Sequence, residues 1–91
     1  MKTKAVLSVT GKDNVGIIAK VSNTCADYGA NIIDISQTVL KDYFAMIMLV
    51  EIDQLNVPFT EFVDKVSALG KENALEIHAM HEDIFDSMHK I

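Results

Sequence analysis

The chain contains no arginine; all eight basic residues are lysine, set among thirteen carboxylates for a net charge of −5. That absence weighs against two classes of function. Nucleic-acid binding needs a clustered basic surface, and these lysines are scattered. Phosphate chemistry usually relies on the bidentate guanidinium fork, which no residue here supplies. A single cysteine, Cys25, cannot close an internal disulfide, so a reducing cytoplasm is the expected location. No apolar run approaches the ~20 residues of a membrane span. The N-terminal segment passes from Met1-Lys2-Thr3-Lys4 into strand-like alternation, without the apolar stretch of a signal peptide.

What is present is a packed chain of 91 residues, 49% hydrophobic and 23% charged. This composition excludes disorder and predicts one domain over residues 1–91, with little surplus stability. Its core is expected at about 3–81, followed by a C-terminal helix at 82–91.

Periodicity orders the elements. Residues 4–10 alternate, with Ala5, Leu7 and Val9 on one side and Val6 as the exception, which predicts a half-buried strand. From about 14 to 28, Ile17, Ile18, Val21, Cys25 and Tyr28 recur at helical spacing, with Asp13 or Asn14 as the expected N-cap and Gly29 as the stop. Residues 31–40 form a second strand with Ile33, Ile35 and Val39 on one face. Gln37 shares that face, so it is either buried with partners or re-aimed by a bulge. Lys41-Asp42 suits a tight hairpin. The strand from Tyr43 to Ile52 is apolar on both sides and must be central.

Pro58 opens a second helix made amphipathic by Phe59, Phe62, Val63, Val66 and Leu69, with Gly70 at or near its end. Leu75, Ile77 and Ala79 then share one face of a fourth strand, opposite Glu76 and His78. Ile84, Phe85, Met88 and Ile91 mark a short amphipathic helix, with acids at its start and His89-Lys90 at its end. The order βαββαβ with right-handed crossovers predicts an α+β, ferredoxin-like sandwich: a four-stranded antiparallel sheet with two helices on one face. Its other face would carry an apolar strip, to be covered by the C-terminal helix, by another subunit, or by both.

One segment stands out chemically. Thr10-Gly11-Lys12-Asp13-Asn14-Val15-Gly16-Ile17-Ile18 places a Gly-, Asp- and Asn-rich turn at the mouth of a helix. Backbone N–H groups there lack intrahelical partners, and can be capped internally or can hold the polar end of a ligand. Together with Gly29-Ala30-Asn31-Ile32 and Asp34-Ile35-Ser36-Gln37, the pattern resembles the ACT domain, the small regulatory module of amino-acid metabolism. Closest in look are the stand-alone single-ACT proteins grouped with the glycine-cleavage repressor.

The resemblance implies a homodimer that binds a small ligand, an amino acid, where the first turn of one subunit faces the start of the second strand of its neighbour. A regulated enzyme or regulator would be the further partner. Carried over by position, the binding residues are Gly11, Lys12, Asp13, Asn14, Val15, Gly16, Ile17, Asn31 and Ile32. Asp13 and Asn31 would serve the ammonium group, and the N–H groups of residues 15 to 17 the carboxylate.

Alternatives stay open at this point. A ligand-free dimerisation module would use the same turn purely as a cap. A metal-responsive protein would use His78-x-x-His81 with Glu82 and Asp83, although the two histidines fall on opposite faces if the strand runs through them. No spacing suggests a catalytic Ser/His/Asp or Cys/His set, so no enzyme activity, cofactor, resident metal, nucleic-acid partner or membrane partner is expected. Cys25 sits on the buried stripe of its helix as an inert thiol. Neither ligand identity, pathway nor subunit arrangement follows from one sequence.

Overall fold

A computed structural model describes residues 3–12 and 15–88. Alternation in the first segment becomes β1 (Lys4–Lys12), which runs two residues past the predicted end. Helix α1 (Ile17–Tyr28) follows, then β2 (Asn31–Leu40) and β3 (Tyr43–Glu51). The chain continues through α2 (Phe59–Glu72), β4 (Leu75–His81) and α3 (Glu82–Met88). The strands form one antiparallel sheet in the order β2-β3-β1-β4, so the doubly apolar β3 is central, as its composition requires.

Register explains which side chains meet. Ala5, Leu7 and Val9 of β1 lie opposite Val50, Met48 and Met46 of β3, and all six are essentially inaccessible to solvent. Val21, Cys25, Phe62 and Val66 close the core from the helices. Tyr28 meets Phe62 edge to ring at a centroid distance of 6.2 Å, an arrangement aromatic quadrupoles favour. The amphipathic stripe of α2 thus fixes its face, with Pro58 at the N-cap, where its missing N–H costs nothing. Gly70 lies inside the last turn, where a Cβ would stand 2.8 Å from the Leu75 carbonyl oxygen.

Three expectations change. Helix α1 starts at Ile17 rather than near residue 14, and its N-cap is Gly16. Gly16 adopts the left-handed conformation (φ 86°, ψ 8°), which a right-handed helix cannot pass through, so the helix begins only after it. The expected caps Asp13 and Asn14 lie outside the described residues. Ile18, placed by spacing on the buried stripe, is 38% exposed.

The face of β2 also differs. A register shift between Ile32 and Asp34 breaks the alternation early, so Ile33 leaves the face it was expected to share. Ile35, Gln37 and Val39 then pair with Met48, Met46 and Phe44 on the helix side. Gln37 is neither buried nor re-aimed by a bulge at its own position. It is exposed because β2 is an edge strand whose outer side chains reach beyond the helices.

The last helix answers the open-face question in part. It packs back on β1 and β4. Val6 points away from α1 and α2, yet only 5% of it is accessible. His89, Lys90 and Ile91, which complete the predicted 82–91 helix, lie outside the described residues.

Candidate functional site

Val15 and Gly16, which lead into α1, stand clear of the body. Val15 is 96% exposed, and a Cβ built on Gly16 would meet nothing within 4 Å. Gly11 is different: a Cβ there would approach Leu75 Cδ2 to 2.7 Å and the Ala74 carbonyl oxygen to 3.1 Å. Its lack of a side chain lets β1 lie against the start of β4. Lys12 ends β1 opposite Tyr43, on the surface.

The Lys20 N–H donates to the Gly16 carbonyl at 2.9 Å, the helical bond that ties α1 to its cap. Among the described residues, no side chain caps the helix and no acidic residue sits in its first turn. The positive end of the helix therefore faces solvent without local compensation from those residues. Ile17 is 3% exposed, so only its backbone is presented.

The second half of the predicted site lies far from the first within one chain. Asn31 opens β2 opposite Glu51, and Glu51 lies opposite Lys4, at the end of the sheet remote from Lys12 and Tyr43. The ten residues of β2 separate the two ends by ~30 Å at strand rise. Asn31 Nδ2 donates to Glu51 Oε1 at 2.8 Å. This bond orients the amide so that its oxygen remains an acceptor, beside a carboxylate. Ile32 is half-buried against the core.

The pairing of Glu51 with Asn31 has no sequence signal, because only the register brings the last residue of β3 opposite the first of β2. A further feature with no sequence signal is a groove of about 260 Å³ between the helices, lined by residues that include Thr24, Asp27, Tyr28, Lys65 and Glu72.

The histidines separate as alternation requires. His78 contacts Glu76 Oε2 at 3.1 Å on the open side of the sheet. His81 stacks on Phe59 at a ring distance of 4.3 Å on the helix side. No group of three or more metal-ligating side chains gathers among the described residues. Cys25 is fully buried, and desolvation pushes its thiol pKa up to about 11.

The fold defines the class: a ferredoxin-like βαββαβ sandwich of the ACT type. The match is direct, since the ACT domain family profile covers residues 3–80, and the chain belongs to that family. A UPF0237 protein of Listeria innocua is 46% identical over 97% of this chain and 99% of its own length. A solved ACT domain protein from Streptococcus pneumoniae superposes with a TM-score of 0.81 at 40% identity, covering 94% of this chain and 97% of that one. A candidate glycine cleavage system transcriptional repressor shares the fold at 23% identity and a TM-score of 0.73, over 89% of this chain and 46% of its own. None of the described helices is long and apolar enough to cross a membrane.

Proposed function

We propose that the chain is a non-enzymatic regulatory module that binds a small ligand, an amino acid, between two copies of itself. One observation supports this reading: the two halves of the candidate site lie toward opposite ends of the sheet, Asn31 and Ile32 on its β2 edge, and Gly11 and Lys12 at the far end of β1. Antiparallel pairing of β2 with β2 of a second copy would continue the sheet. It would also swing Asn31 and Ile32 of one copy toward the Gly11–Gly16 turn of the other. Edge strands with exposed apolar side chains invite such pairing, and Ile33, Ile35 and Val39 are 44%, 37% and 54% exposed.

The chemistry at the joint suits a zwitterion. Backbone N–H groups at the mouth of α1 would complement a carboxylate. The Asn31 amide oxygen, with Glu51 behind it and Asp13 from the turn, complements an ammonium group. Occupancy would favour one assembled arrangement over another, and a partner protein would respond to that shift.

A thermal-shift screen of the twenty amino acids tests the reading. A ligand present at ~100 times its Kd adds about 2.7 kcal/mol of stability. A flat response to all twenty would sink the ligand claim; if the two-chain mass persisted, the edge would be a dimerisation surface alone.

A further inference from the structure

We infer that the groove between α1 and α2 is a second ligand site, built within one chain, and that it takes a linear α-amino acid with a cationic side chain. The inference stands apart from the two-copy reading, since no residue of the β2 edge or of the Gly11–Gly16 turn lines this groove.

Two contacts fix how the helices lie against each other. Lys20 Nζ donates to Asn73 Oδ1 at 2.8 Å, and Tyr28 meets Phe62 further along the pair. The helices therefore run antiparallel, with Asp27 of α1 about level with Lys65 of α2. Glu72 stands two turns beyond Lys65 on the same side of α2, ~10 Å along its axis. All three line the groove, together with Tyr28, Ala68 and Leu69. Its volume of about 260 Å³ lies near the lower end of ligand sites (~300–1,000 Å³), room for one small metabolite.

The charges set this groove apart from an ordinary gap between helices. Asp27 and Lys65 are opposite in sign and face the same space. Yet among the described residues neither they nor Glu72 forms an ion pair. At the Glu72 end, Asn73 Nδ2 donates to the Leu69 carbonyl at 2.8 Å, which aims the amide oxygen at Lys20. The Lys20 ammonium is thereby engaged by an amide rather than by Glu72.

A ligand that answers all three charges has a definite order of groups. A carboxylate and an ammonium group must lie close together, between Lys65 and Asp27. A second cation must sit two helical turns away, at Glu72. An α-amino acid head with an extended ammonium or guanidinium side chain has that order. Its methylenes would lie along Ala68 and along Leu69 and Tyr28, which are half-buried against the core. A neutral side chain would leave Glu72 unanswered, and a plain diamine would leave Lys65 unanswered.

Amide-resolved NMR titration of the full chain tests the proposal, with L-lysine, L-norleucine and cadaverine as probes. Norleucine lacks the side-chain ammonium of lysine, and cadaverine lacks its carboxylate. L-Lysine at millimolar concentration should shift the amides of residues 24–28 and 65–72. Norleucine and cadaverine should each bind there about tenfold more weakly, the loss of one charge-assisted contact. Glu72→Gln should weaken L-lysine by a similar factor and leave norleucine unchanged. Both side chains concerned are exposed, and the spectrum itself reports that the variant is folded. Unmoved groove amides, equal affinity for lysine and norleucine, or unchanged lysine binding in Glu72→Gln would each overturn the proposal. Asn31→Ala separates the two sites. Groove shifts that persist in that variant support this site whatever becomes of the interface. Lysine shifts confined to Gly16 and Asn31 would overturn the groove and leave the two-copy reading standing.

Discussion

Val6 and Ile47 project from the same face of the sheet on neighbouring strands, yet Val6 is 5% exposed and Ile47 is 46% exposed. The difference marks where α3 ends. Its seven residues reach β1 and β4 and stop short of covering β3.

Removing residues 82–91 should therefore uncover Val6 and Met80 while leaving the helix-side core intact. Exposing one buried valine and part of a methionine costs roughly 2–3 kcal/mol. Urea denaturation of the truncated chain should show a lower midpoint. Its near-ultraviolet spectrum and fold should persist. An unchanged midpoint would show that α3 adds nothing to the cover of Val6.

Gly16 carries a second prediction. Its φ of 86° lies where side chains are strained, while the space around its Cβ is open. Gly16→Val should thus cost only the backbone term, ~1–2 kcal/mol, without a packing clash. In the two-copy reading, the same variant should weaken amino-acid stabilisation at least tenfold in apparent Kd, because the N–H groups of the turn lose their geometry. Isothermal titration together with thermal melts separates the two effects.

The sequence made the fold legible because the two periods, 2 in strands and 3.6 in helices, switch on either side of the Gly11–Gly16 segment and at Gly29, while Lys41-Asp42 marks the hairpin between two strands. The alternation of His78 and His81 and the central place of β3 followed from the same logic. What escaped was decided by single residues. A left-handed Gly16 moved the helix start by about three positions, and a register shift at Ile32/Asp34 reassigned Ile33. Neither conformation has a signature in residue type alone. The pairing of Asn31 with Glu51 was equally hidden, since the residues are twenty apart in sequence and meet only through strand register.

Asn31 permits a clean separation of stability from binding. Its bond to Glu51 is exposed, so Asn31→Ala should change stability by no more than about 1 kcal/mol. Under the proposed function, it should still abolish most of the amino-acid thermal shift, because the amide oxygen is the ammonium acceptor. A full shift in Asn31→Ala would remove this residue from the site.

Phe62 tests the core. It is fully buried, touches Tyr28 across the helix layer and Phe59 along its own helix at 6.3 Å. Phe62→Ala should cost about 3–5 kcal/mol through lost transfer energy and an unfilled cavity. In a chain of this size that is a large share of total stability. Chemical denaturation should show the fall, with a population of unfolded chains at physiological temperature.

Cys25 gives stability a defined pH dependence. Burial raises its thiol from 9.0 to about 11 in the folded chain, so the unfolded chain ionises first as pH increases. Between those values the folded state holds more protons than the unfolded one, and stability falls with rising pH. The contribution is fully present below pH 9 and is lost as pH climbs through about 11. At ~1.4 kcal/mol per unit, the loss is on the order of 2–3 kcal/mol. Cys25→Ala, though less stable throughout because of its cavity, should lack this alkaline slope. Equilibrium unfolding of both chains from pH 8 to 11 measures the difference, and parallel slopes would show that the thiol is not the group responsible. In the same range the native thiol should resist aromatic disulfide reagents and react only at the rate of unfolding.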